Sequence, residues 1–195
     1  MGLFDTLLGR TKPAKANLDR LFGLPGAAVT LQAAEGCAPG HEAAVCFKPA
    51  AGPGFAHAEE ELLSLLEGGE GSAGGEGVRV EPIDRYGYRW VVVSSPDFDS
   101  LVTRVHFVNS TLQDHGYGPQ LLCSVFAFSG GDSTGSAAFY LVYLYKRGAF
   151  YPFVPLRGER RDNEAELRLK ALLSDDLAIE PDLDRWFPLW ELPIH

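Results

Sequence analysis

The sequence predicts an α+β fold, an antiparallel sheet with helices packed mainly on one face, from three observations. The stretch 138–155, AFYLVYLYKRGAFYPFVP, joins the longest apolar run in the chain to a turn signal and a second aromatic run, the pattern of a β-hairpin. Apolar side chains recur at helical spacing between Phe98 and Leu112. Strand pairs then alternate with helices along the chain, and no convincing internal repeat divides it. With 195 residues and 46% hydrophobic content the chain can bury one substantial core, so a single domain is expected over 16–195.

Taken in order, the segment 1–15 reads MGLFDTLLGRTKPAK and is a basic amphipathic head. Leu3, Phe4, Leu7 and Leu8 fall on one face of a short helix, and Arg10, Lys12 and Lys15 follow. Such a segment can lay its apolar face on anionic lipid, or simply dock on the domain or on a partner protein. After Pro13, residues 17–24 read as a helix capped by Asn17 and broken by Gly23 and Pro25. Strands are expected at 27–33, around Val29 and Leu31, and at 42–48, joined through Gly36, Pro39 and Gly40. A helix over 56–67 carries Glu59, Glu60 and Glu61 near its start, where negative charge suits the helix dipole. Residues 68–77, GGEGSAGGEG, form a flexible linker with nothing to bury.

Beyond the linker, 78–83 and 88–94 form a second hairpin turned at 84–87. Ser95 then reads as the cap of the long helix and Pro96 as its first residue, with the end near Gly116. A strand at 121–128 and a glycine-rich loop lead into the hairpin at 138–155. There Phe139, Leu141, Tyr143 and Tyr145 point one way and Tyr140, Val142 and Leu144 the other, so both faces must be covered and the strand is expected at the centre of its sheet. Pro152 removes a ladder donor from the returning strand, which therefore belongs at a sheet edge or carries a bulge. Asp162 caps a last helix through Ser174, and the tail 180–195 is irregular and aromatic. An aromatic edge strand invites a partner, and a Trp-rich tail is either a lid over its own core or an anchor for another protein. The candidate partner-binding residues are therefore Phe150, Tyr151, Phe153, Trp186, Phe187 and Trp190. The candidate membrane-binding residues are Leu3, Phe4, Leu7, Leu8, Arg10 and Lys12.

Charge argues against nucleic acid. The formal net charge is −9, and residues 1–20 carry +2 of it, which leaves −11 on the remainder. No apolar run is long enough to span a bilayer and no secretory pattern opens the chain, so a cytoplasmic location is expected. Cys37, Cys46 and Cys123 are odd in number, and no disulfide framework is expected. Gly131, Ser133 and Gly135 fit the G-x-S-x-G elbow of a serine hydrolase, a remote alternative because a strand rather than a helix follows. Cys37, His41, Cys46 and His57 are loosely spaced for zinc, and His106 and His115 do not share a helix face. Catalytic, metal and cofactor residues are not expected.

Five segments together carry a family resemblance: MGLFDTLLGRTKP at the start, NSTLQDHGYGPQLLC at 109–123, LVYLYKRGAFYPFVP at 141–155, RDNEAEL at 161–167 and EPDLDRWFPLWELPI at 180–194. As a set they resemble the PspA-associated protein family PspAB. The resemblance implies a non-enzymatic accessory or adaptor protein of the phage-shock envelope-stress response, without catalytic or cofactor residues. Its implied partners are the coiled-coil protein PspA and the small companion PspAA, with homo-oligomers also open. The order helix, three-strand meander, helix in 97–174 is similar to secretion-chaperone-like domains of the YbjN type, which bind extended segments of partners. The alternative function is a peripheral membrane sensor at the inner face of the plasma membrane, binding anionic lipid through the head.

Overall fold

The computed structural model describes residues 17–49, 77–130 and 138–194, together with the helical positions Gly54, His57, Glu60, Glu61 and Ser64. The amphipathic head, most of the glycine-rich linker and Ser133 lie outside the described residues. Gly77, the last linker residue, opens a strand.

A 3-10 turn over Leu18–Gly23 runs directly into helix α1, Leu24–Glu35. The expected strand at 27–33 is thus a helix, and the reason is local. Pro25 sits in the first turn, where its missing N–H costs nothing, so it starts the helix instead of breaking the chain. Leu24, Ala27, Ala28 and Leu31 then fall at i, i+3, i+4 and i+7 and are buried, whereas Val29 is 68% exposed. Gly36 ends the helix at φ 67°, a left-handed cap that glycine adopts without strain.

Strand β1 is Ala38–Phe47, β2 is Gly77–Val80 and β3 is Arg89–Ser94. Helix α2 is Phe98–Leu112 and is extended by a π turn to Tyr117, with Gly116 at φ 86° as the expected stop. Its cap is Asp97, whose side chain accepts from the Ser100 N–H, and not Ser95. The Ser95 hydroxyl instead accepts from the Asp97 N–H at 3.3 Å. Strands β4 Leu121–Ser129, β5 Phe139–Leu144 and β6 Ala149–Phe153 follow, then the two-residue strands β7 Pro155–Leu156 and β8 Arg160–Arg161. Helix α3, Asn163–Leu173, is capped by Asp162 as expected, the carboxylate accepting from the Ala165 N–H at 3.0 Å.

The main sheet is antiparallel with strand order β2-β3-β1-β4-β5-β6. Its meander β4-β5-β6 agrees with the sequence, but β1 inserts between β3 and β4 and takes the centre with β4. The strand β5, expected there, is second from the edge. Apolar residues on both faces require only that both faces be covered, which does not by itself decide rank in the sheet. β6 is the edge strand that Pro152 indicates.

Helices α1, α2 and α3 pack on one face of the sheet. Leu24, Leu31, Val102, Val105, Leu169 and Leu173 meet Val45, Phe47, Phe126, Phe128, Leu141 and Tyr143 in one core. A polar tie crosses it: the buried Asn109 side chain donates to the Ser124 hydroxyl at 2.9 Å and to the Val105 carbonyl at 2.8 Å. Burial pushes the Tyr143 phenol up to about 12, and its hydroxyl donates to the Asn17 carbonyl at 2.8 Å. No helix among the described residues is long and apolar enough to cross a membrane.

The helical assignment of 24–35 is testable by stability. Leu31→Ala should cost about 2–5 kcal/mol in chemical denaturation, while Val29→Asp should change stability by only about 0.5 kcal/mol or less. A strand with both side chains on one buried face would make the two losses comparable.

Candidate docking cleft

Among the described residues, none of the helices α1, α2 and α3 packs on the second face of the sheet. Side chains that alternate with the helix-facing set, among them Ala44, Val92, Val125, Tyr140, Val142 and Phe153, would otherwise meet water. The C-terminal segment 179–194 covers them with Trp186, Leu189, Trp190, Leu192 and Ile194. It enters along the free edge of β6, where Ile179 makes a parallel bridge to Phe150. The Phe150 N–H donates to the Ala178 carbonyl and the Glu180 N–H to the Phe150 carbonyl, both at 2.8 Å. Pro152 has no N–H with which to prolong this bridge.

From there the segment crosses the sheet without strand pairing, and side chains satisfy its backbone carbonyls. Tyr151 donates to Phe187 at 2.8 Å, Tyr140 to Ile194 at 3.3 Å, and Arg79 to Pro193 at 2.8 Å. Trp186 turns its indole N–H back to the Glu180 carbonyl at 3.0 Å and stacks on Tyr151 with ring centres 5.9 Å apart. Arg161 donates to the Trp186 carbonyl and grips both carboxylate oxygens of Glu166 at 2.9 Å, with the Val154 N–H completing the carboxylate's partners at 3.0 Å. Burial pushes the Glu166 carboxyl up, and Arg161 opposes that. A second ion pair sits where the segment enters. Arg147 Nε lies 2.8 Å from the buried Glu180 carboxylate and holds its pKa below the ordinary glutamate range.

The cover is incomplete. Between the segment and the sheet opens a cleft of about 590 Å³, within the range of small-ligand and peptide side-chain pockets. Its floor is Cys46 and Cys123, and its walls include Trp90, Leu122, Leu144, Tyr151, Leu189 and Trp190. The β2–β3 turn forms one rim. Asp84 organises it by accepting from the N–H groups of Tyr86 and Tyr88, both at 2.9 Å, and from the Trp90 indole at 3.1 Å. Tyr86 is left 51% exposed and Phe187, on the C-terminal segment, 57%. Lys146, Arg147 and Arg185 supply cations at the mouth; Arg147 and Arg185 pair with Glu180 and Asp182. Such a site offers apolar, aromatic surface with a polar rim, suited to binding a side chain or an apolar ligand.

Of the six candidate partner-binding residues, Tyr151, Phe187 and Trp190 come together at this cleft. Phe150 faces the helices, Phe153 lies under the tail and Trp186 is buried between Tyr151 and α3, so these three are packing residues in the folded chain. Leu3, Phe4, Leu7, Leu8, Arg10 and Lys12 lie outside the described residues. Cys37 belongs to the helix-side core and Cys46 to the opposite face, while His57 is exposed on a helix, so the loosely spaced thiol and imidazole groups are not gathered. Among the described residues no group of three or more His, Cys, Asp or Glu is placed to hold a metal ion. Sequence reasoning missed the turn residues Asp84, Tyr86 and Tyr88 and the thiol floor. The aromatic pair in a turn was a visible signal; the meeting of Cys46 with Cys123 was not.

The Arg147–Glu180 pair gives the tail a pH dependence with a defined sign. Because the folded Glu180 carboxyl is depressed, its stabilisation is present above the unfolded value, about 4.3, and is lost as pH falls through the folded one. In an acid titration the tryptophan emission should therefore shift to the red below pH of about 4, and Arg147→Met should move that shift to higher pH. An emission indifferent to the substitution would show that this pair does not hold the segment.

No curated protein and no solved structure matches the chain. The family described as PspAB, PspA associated protein B, matches residues 1–194, and the chain belongs to that family.

Proposed function

We propose that this protein is a non-enzymatic adaptor of the phage-shock envelope-stress response, which binds PspA or a related coiled-coil protein through the cleft beneath its C-terminal segment. Family membership supports a role in the phage-shock system. The observation that carries the docking reading is the aromatic cleft itself, with Phe187 and Tyr86 exposed among its lining residues. Large apolar side chains left in water around a desolvated pocket are the composition of interface hot spots, and an amphipathic helix supplies matching side chains at regular spacing. PspAA and a second copy of this chain are further partners consistent with this reading, and its place of action is the cytoplasmic face of the plasma membrane.

Calorimetric titration of the full chain with purified PspA tests it. Phe187→Ser, at a site too exposed to matter for folding, should weaken association by about tenfold or more, roughly 1.4 kcal/mol, with an unchanged melting temperature. Absence of heat at concentrations where both proteins are soluble would sink the partner assignment.

A second reading rests on a separate feature, the basic amphipathic sequence of residues 1–15. In it the protein is a peripheral sensor whose head meets anionic lipid, with weak and reversible affinity because the apolar face is short. Flotation with phosphatidylglycerol vesicles should carry the full chain upward, and the double substitution Leu7→Glu with Leu8→Glu should abolish this. Unchanged flotation of the variant would exclude the head as the anchor.

A further inference from the structure

Cys46 and Cys123 stand directly opposite each other on the two central, antiparallel strands. Opposed residues of such a pair have Cα atoms about 4.5–5.5 Å apart, within the span of about 4.4–6.8 Å that a disulfide requires. Alternation turns both side chains to the tail side of the sheet, where they form the floor of the cleft. Their residues are only 3% and 6% exposed, so a small molecule in the cleft reaches them while a thiol on another protein does not. Cys37, buried in the helix-side core with its sulfur directed to the Glu35 carbonyl, is remote from both.

We propose that Cys46 and Cys123 form a two-thiol modification site, which an apolar hydroperoxide entering the cleft converts to an intramolecular disulfide across β1 and β4. The inference stands independently of the docking function. The sulfur of one residue attacks the hydroperoxide, forming an S–O bond and breaking the O–O bond; the alkoxide leaves with the thiol's proton as an alcohol. The second sulfur then attacks the sulfenic sulfur, the S–S bond forms, and hydroxide leaves with the second proton as water. Two thiols are oxidised by two electrons, and the hydroperoxide is reduced to an alcohol and water. The class of oxidant follows from the walls. Trp90, Leu122, Leu144, Tyr151, Leu189 and Trp190 favour an alkyl or aryl body over a small polar oxidant. The neighbouring Cys123 thiol and then burial push the Cys46 thiol up, so its oxidation is faster as pH rises.

The test is peptide mapping of the full chain after cumene hydroperoxide or hydrogen peroxide. The expected result is a loss of about 2 Da, a cross-linked peptide joining the two cysteines, and recovery of both thiols with dithiothreitol. Cumene hydroperoxide should react about tenfold faster than hydrogen peroxide, the preference expected from burying its apolar ring. Cys37→Ala should leave the cross-link intact, and Cys46→Ala or Cys123→Ala should abolish it. Mapping of the unaltered chain is decisive even if a core variant fails to fold. Oxidation to separate sulfinic acids, cross-linking only between chains, or untouched thiols would overturn the two-thiol site, and equal rates with the two oxidants would overturn the apolar class.

Discussion

A sheet that is apolar on both faces needs two covers, and the rest of this structure depends on how the second one is made. The helices α1, α2 and α3 protect one face. Only the C-terminal segment protects the other among the described residues, and it does so as irregular chain. Irregular backbone laid over an apolar surface has no ladder to satisfy its carbonyls, and leaving them unpaired out of water would be costly. Side chains answer instead: Tyr140, Tyr151 and Arg79 of the sheet and Arg161 of β8 each donate to a carbonyl of the segment. These donors explain why tyrosine and arginine, rather than more valine, occupy positions beneath and beside the tail.

The cleft is the consequence of covering a wide sheet with a narrow segment. An unpaired chain touches the sheet through its larger side chains and spans the gaps between them, and the gap over β1 and β4 is lined by the nearly buried Cys46 and Cys123. Two ion pairs hold the segment, and Arg147 of one of them also lines this gap. Arg147 pins its entry through Glu180, and Arg161 pins Trp186 while holding Glu166 of α3. Losing either arginine would leave a carboxylate buried without its charge partner, which is the costly way to break such a pair. The fastening of the tail, the proposed docking and the proposed thiol chemistry therefore all depend on one cover and share the aromatic walls supplied by Trp90, Tyr151 and Trp190.

Much of this was legible along the chain because it depends on near neighbours. The period of α2 from Phe98 to Leu112, the cap at Asp162, the turn at 84–87 and the edge position implied by Pro152 all follow from steric and hydrogen-bonding rules within a few residues. The failure at 27–33 came from the same kind of rule misapplied, since a proline after a short turn starts a helix as readily as it ends one. Of the candidate docking residues, the aromatic signal pointed to segments that line the cleft but could not separate Phe187, which faces water, from Trp186 one residue earlier, which is buried.

By itself, then, the sequence determined that this protein is an α+β chain with a two-faced hairpin, an aromatic tail and the segments of the PspAB family, because local periodicity and turn chemistry are written residue by residue. Tertiary structure alone decided that β1 lies between β3 and β4, that the tail covers the helix-free face, and that two cysteines 77 positions apart in the chain stand side by side. Strand order and the placement of an irregular segment are set by contacts between residues far apart in the chain. Spacing along the chain carries no record of those contacts.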